Sequence, residues 1–240
     1  HTRCAGNSRC QVSICSSCNV MKIPFFGAKQ KEIPPFYEAY AQSFNTAQPS
    51  LESMPFIAFD TETTGLDVKN DRILCIGAVA IMGNTIYTDE ALEVYVEQDV
   101  YSSKSAEIHG ILKKGKQKRI TEEQAVKKFL DFIGNSVLVG HHVGYDVAMI
   151  NNALKRLGAP RLKNKLLDTG LLYKNSIHEV NLLNKDKVYS LDELCDEMKI
   201  SMEDRHTAAG DAYITALAFL KICSRMRRNG KLTLKNLFKH

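Results

Sequence analysis

Apolar positions change period along this chain, and the change separates two kinds of element. "FIAFD" (Phe56 to Asp60) is an apolar run of strand length, "RILCIGAVAIMG" is a longer run ending at Gly83-Asn84, and "TIYTDEALEVYV" follows at once. Three strands joined by short turns predict an antiparallel meander. After Tyr101 the period becomes helical. "TEEQAVKKFLDFIG" sets Ala125, Phe129, Phe132 and Ile133 on one stripe, with Thr121 as its N-cap. "SVLVGHH" reads as a strand and "DVAMINNALKRLG" as a helix stopped by Gly158 and Pro160. "LKNKLLDTGLLY" holds a short strand, "SLDELCDEM" is a helix capped by Ser190, and "TAAGDAYITALAFLKICSRM" is a long final helix. The order βββαβα, with additional helices, predicts an α/β layer arrangement around a mixed sheet.

Ahead of this pattern, "PPFYEAYAQSFNTA" is an amphipathic segment whose Pro34 and Pro35 suit a helix start. Residues 21–55 are expected to form a peripheral helix and linker, and residues 56–240 the main domain. Met21 is the first methionine followed by ordinary globular sequence, so residues 1–20 are expected to be an extension outside the fold. That extension carries Cys4, Cys10, Cys15 and Cys18, of which only the Cys15/Cys18 spacing resembles a zinc half-site. Cys75, Cys195 and Cys223 lie in apolar strands or helices, where buried reduced thiols are expected.

At 240 residues, with hydrophobic residues at 44%, the chain has enough material for one full-sized core. No apolar run reaches the length of a membrane span and no secretory signal opens the chain, so a soluble, cytoplasmic chain without a membrane partner is expected. A net charge of +5 permits a polyanionic partner without requiring one. Basic residues gather at Lys113 to Arg119, Arg161 to Lys165 and Arg225 to Lys231, either as solvated surface or as a rim for phosphates.

The candidate chemistry is acidic. In a strand the side-chain period is two, so Asp60 and Glu62 leave the same face if extended structure persists through Thr61. Like charges so close are unfavourable unless one is protonated or a cation binds between them. Two readings stay open: exposed acids before a polar turn, Thr63-Thr64-Gly65, or half of a site for a hard cation such as Mg²⁺ or Mn²⁺. Asp146 begins a helix after a buried strand, where a site opens in α/β sheets, although an acid in a helix's first turn needs no further purpose. Asp211 precedes Ile214, Thr215 and Ala218 at helical spacing and so shares their packed face, which is costly for an unpaired acid. His206, five residues earlier, can exchange a proton near neutral pH. Asp168, ahead of Thr169 and Gly170, reads as a turn acid.

Asp60-x-Glu62 in "FDTETTGL", Asp146 in "VGHHVGYD" and His206-x4-Asp211 in "HTAAGD" together resemble the three motifs of the DEDDh 3′ to 5′ exonuclease superfamily. The resemblance runs from Phe56 to about Arg225 and includes "RILCIGAVAI", "EIHGI", "LLDT" and "YSLDELC". It is nearest to the epsilon-type proofreading domain of bacterial DNA polymerase III. It implies a ribonuclease H-like fold with a mixed five-stranded sheet, and two divalent cations, Mg²⁺ or Mn²⁺. By resemblance Asp60, Glu62 and Asp211 are direct metal ligands, Asp146 supports the second metal, and His206 is the general base. Thr63, Thr64, Gly65, His109 and His142 are the substrate-side positions. The implied activity is stepwise phosphodiester hydrolysis from the 3′ end of DNA, with single-stranded DNA or nucleic-acid 3′ ends as substrate and a DNA polymerase as candidate partner. The alternative is an exoribonuclease acting on short RNA; a non-catalytic binding module is disfavoured because all five motif residues are present. Two positions depart from the pattern: His142 stands where relatives often have Asn, and Cys75 where they often have an acid. The chain ends in "GKLTLKNLFKH", whose Leu237-Phe238 either packs on the domain or docks on a partner.

Overall fold

The architecture is that of a computed structural model describing residues 32–47, 49–99, 109–111, 117–177 and 187–239. The expectations for residues 1–20, including a zinc half-site, and for 21–31 and Lys113 to Lys116 lie outside those residues. In chain order the elements are α1 (Pro35–Gln42), β1 (Pro55–Thr63), β2 (Ile73–Met82), β3 (Thr85–Val96), β4 (Arg119–Ile120), α2 (Glu122–Ile133), β5 (Val137–Gly140), α3 (Gly144–Arg156), β6 (Leu166–Asp168), α4 (Thr169–Ser176), α5 (Leu191–Met198), α6 (Ala208–Arg228) and α7 (Leu234–Leu237).

The strands lie in the order β4-β3-β2-β1-β5-β6. β1, β2 and β3 form the expected antiparallel meander, while β5 joins β1 and β6 joins β5 in parallel. A sixth strand beyond the five expected is the two-residue β4, parallel to β3. It is too short to leave a periodic signal. Local signals fixed the helix ends as read: Thr121 and Ser190 each close a capping box, with Gln124 and Glu193 returning the bond. Gly158 takes φ 75° after α3, and Pro35 opens α1. Among the described residues no helix is long and apolar enough to cross a membrane.

The strand period of two divides the core between the two faces of the sheet. Ile57 and Phe59 point to the layer holding Phe129, Ile150 and Leu154 of α2 and α3. Phe56 and Ala58 point to the layer holding Phe219 and Ile222 of α6. α1 joins the first layer through Tyr37 and Tyr40. The Tyr40 hydroxyl donates to Asn164 Oδ1 at 2.5 Å and accepts from the Lys163 amide, and the Tyr37 hydroxyl donates to the Arg161 carbonyl. At the other end of the chain Leu237 is fully buried, so the terminal segment packs on the domain.

Two of the three basic runs, Arg161 to Lys165 and Arg225 to Lys231, do not assemble around the acids. Lys163 and Lys165 lie over the rings of Phe44 and Phe238, beside Pro55 and Val137 at the starts of β1 and β5, whereas Asp60 and Glu62 are at the far end of β1. Arg225 lies over Tyr173, fourteen residues and thus roughly 21 Å along α6 from Asp211. These two runs are therefore surface and packing residues and not a rim for phosphates at the acids.

One glycine sets the depth at which α6 docks. Gly77 pairs with Asp60 across β1 and β2, and a Cβ there would lie 2.1 Å from the Ala208 carbonyl carbon and 2.2 Å from its oxygen. The obstructing atoms are backbone and cannot rotate away. Gly77→Ala is expected to lower stability by about 3 kcal/mol or more, at the upper end of overpacking costs, read as a fall in the urea midpoint at unchanged slope.

Candidate metal and catalytic centre

The alternation that divides the core also sorts the acids. Asp60 and Glu62 continue the Phe56/Ala58 face and meet α6, where Asp211 sits in the first turn. One oxygen from each of Asp60, Glu62 and Asp211 lies within 4.8 Å of the others. Thr61 points to the opposite face and meets α3. Its backbone N–H and hydroxyl donate to Asp146 Oδ1 at 3.0 and 2.6 Å. The register with β2 shifts just past Glu62, so the ladder breaks where the acids stand.

The charges are crowded and poorly hydrated. Burial first, then Asp146, Asp211 and Glu62, hold the Asp60 carboxyl well above the usual range against the opposing pull of Arg205. Burial and Asp211 push Glu62 up to about 7. Asp146 is raised by burial even though the Thr61 bonds favour its ionised form. Asp211 is raised by burial against Arg205 and His206. Its Oδ2 accepts from Arg205 Nη1 at 2.6 Å, while its Oδ1 is buried with no partner among the described residues. A buried acceptor left bare costs about 1–3 kcal/mol, more for a charged group. Three convergent carboxylates with one bare oxygen fit a hard divalent cation such as Mg²⁺ or Mn²⁺.

The remaining positions named from the sequence differ in exposure and in what they bond. His206 is exposed on the turn just before α6, in the left-handed region at φ 68°. Thr63 and Thr64 are buried and shape the turn. The Thr63 hydroxyl contacts the Gly65 carbonyl and Tyr145 hydroxyl, and the Thr64 hydroxyl donates to Asp71 Oδ1. The Tyr145 hydroxyl also donates to the Gly65 carbonyl at 2.6 Å, clamping the turn to α3. His142 is exposed with φ 56° and stacks on His141 with 4.5 Å between ring centroids. His109 is buried. Its Nδ1 accepts from the Ile111 amide, its Nε2 has no partner among the described residues, and burial pushes its pKa down. Asp168 is the N-cap of α4 rather than the turn acid expected, taking the Gly170 and Leu171 amides on one oxygen and the Val143 amide on the other.

Four residues at the site carry no motif-level signal. Thr61 was visible only as a spacer, yet its buried side chain, on the α3 side of the sheet, holds Asp146. Arg205 was visible only as a base beside His206. Tyr145 was visible only as an aromatic beside Asp146. Leu66, directly after the clamped turn, is an apolar side chain left 86% exposed.

A family model described as Exonuclease matches residues 57–219. The chain is 28% identical over 237 residues to the DNA polymerase III PolC-type of Thermotoga petrophila, an alignment covering 94% of this chain and 17% of that protein. It is 28% identical over 167 residues to the DNA polymerase III subunit epsilon of Aquifex aeolicus, covering 70% of this chain and 79% of that one. The chain thus spans a small fraction of its PolC-type relative and most of the epsilon subunit's length. E. coli exonuclease I in complex with a dT13 oligonucleotide has the same fold, with a TM-score of 0.62 at 17% identity over 74% of this chain and 43% of that one.

The raised carboxyls have a consequence for stability. A carboxyl whose pKa is higher folded than unfolded stabilises the fold below its unfolded value, and that contribution is lost as pH rises through the folded value. For Glu62 the window runs from its ordinary 4.5 to about 7. His141, pushed down to about 4 by burial, acts in the opposite direction, so a difference between variants isolates the acid. Metal-free Glu62→Gln is expected to melt several degrees above the unchanged chain at pH 8, a few kcal/mol at roughly 2–4 °C each, with the gap closing near pH 5. Differential scanning calorimetry in the presence of a chelator measures it.

Proposed function

Because the chain belongs to the exonuclease family, we propose that it is a metal-dependent 3′ to 5′ exonuclease that releases nucleoside 5′-monophosphates from the 3′ end of DNA. One observation carries the reading. Acids from residues 60–62 and residue 211 converge on a single point, and the arrangement leaves a buried carboxylate oxygen of Asp211 bare. A structural ion-pair network would have closed that valence.

Asp60, Glu62 and Asp211 would hold the cations, with Asp146 nearby on the opposite face of β1. Two divalent cations bound there would acidify the attacking water and stabilise charge on the departing 3′ oxygen. The protein's own part is to position and to move a proton. We assign to His206, exposed on the turn before α6, the role of taking the proton from the attacking water, since a histidine side chain exchanges protons near neutral pH. The Tyr145 clamp holds the turn after Glu62, so that its backbone and the exposed Leu66 present one surface to the terminal nucleotide. His142, stacked on a His141 ring that burial keeps neutral, offers a second flat surface for a base.

Relatives named as DNA polymerase III components support DNA as the substrate and a polymerase as the partner, which makes proofreading the assigned task. On 3′-labelled single-stranded DNA with Mg²⁺ or Mn²⁺, Asp60→Asn and Asp211→Asn are each expected to lower nucleotide release by about a thousandfold or more, since the cations supply several kcal/mol. His206→Ala is expected to lose about 10²- to 10⁴-fold in rate while binding Mn²⁺ as the unchanged chain does. Full activity in either acid variant would remove the mechanism. Faster release from a matched RNA oligomer than from DNA would move the substrate to RNA.

A further inference from the structure

Arg205 is neither a candidate ligand nor part of any motif noted in the sequence, yet it bridges two carboxylates at the site. Its Nη1 donates to Asp211 Oδ2 at 2.6 Å and its Nε to Asp192 Oδ1 at 2.6 Å. The guanidinium therefore ties the first turn of α6 to the first turn of α5. Both ends of the tie are fixed. Ser190 and Glu193 close a capping box around Asp192. The backbone of residues 204–207 is pinned to α6, with the Thr207 hydroxyl donating to the Asp204 carbonyl at 2.9 Å. Gly210 permits this packing, since a Cβ there would lie 1.9 Å from the same Asp204 oxygen.

A carboxylate is free to rotate about its terminal bond unless one oxygen is held. The rigid fork of a guanidinium holds Oδ2, and Oδ1 is left buried and without a partner. We propose that Arg205 is a positioning residue for the cation site, fixing Asp211 through Oδ2 so that Oδ1 is presented to the metal, with Asp192 as its anchor. This rests on the metal-dependent reading given above. The rival role, a counter-ion that must leave before a cation enters, fits the geometry less well. Arg205 is anchored on its far side by Asp192, and the bare oxygen takes a ligand without displacing it.

Isothermal titration of the full chain with Mn²⁺ separates the two roles by sign. Arg205→Gln is expected to weaken Mn²⁺ binding about ten- to a hundredfold, the usual effect of losing a group that orients a ligand. Asp192→Asn, at a half-exposed side chain, is expected to weaken it by a smaller factor in the same direction. The double variant is expected to bind no worse than Arg205→Gln alone, because Asp192 acts only through Arg205. Where Arg205→Gln does not fold, Arg205→Lys keeps the charge without the fork and is expected to weaken binding as well. Unchanged or tighter binding in the Arg205 variant, or losses that multiply in the double variant, would overturn the assignment. If Mn²⁺ binding to the unchanged chain is indifferent to Asp60→Asn, the reading of the site fails, and this inference with it.

Discussion

Like charge confined to one place is the constraint on which the rest of the molecule depends. Asp60, Glu62, Asp146 and Asp211 come from three separate segments and lie close enough to raise one another's pKa, on top of what burial does. A fold that gathers carboxylates in this way must neutralise them with protons, a basic side chain or metal ions. Arg205 answers part of the charge, the Thr61 bonds steady Asp146, and the bare Asp211 Oδ1 marks what the protein itself does not answer.

The scaffold is arranged to hold that unfavourable cluster in place. β1 uses both of its faces at its end: Asp60 and Glu62 go to the α6 side, and Thr61 goes to the α3 side. Gly77 lets the start of α6 approach the sheet at backbone contact, level with its partner Asp60, which brings Asp211 within reach. The Tyr145 clamp then fixes the turn that leaves β1. Each device acts on the backbone or on a whole helix end, and so sets distances to a fraction of an ångström where a flexible side chain could not.

The departure at Cys75 reads differently in this setting. Cys75 pairs in register with Glu62, it is 1% exposed, and burial raises its thiol pKa, so it contributes no charge where relatives often place an acid. A further carboxylate opposite Glu62 would deepen the crowding. At this register position the strand pair therefore carries one carboxylate and one neutral thiol.

Much of the fold was legible in the amino-acid order because its signals are local. The meander followed from three apolar runs at strand period, the helix ends from Thr121, Ser190 and Gly158, and the misplaced acid at Asp211 from its helical spacing to Ile214 and Ala218. Two-residue β4 was not legible, because two residues carry no period. The basic runs read as a possible rim only because sequence holds no distance; Lys165 and Arg225 turn out to pack on Phe238 and Tyr173. Thr61 as the holder of Asp146, and Arg205 as the partner of both Asp211 and Asp192, have no sequence signature at all. By itself the sequence determined which chemistry-bearing residues exist and which face of its own strand or helix each one takes, since those follow from backbone periods of 2 and 3.6. Only the tertiary structure decided which residues meet, because the separation of residue 60 from residue 211 is set by strand order and by how closely one helix end can approach one glycine.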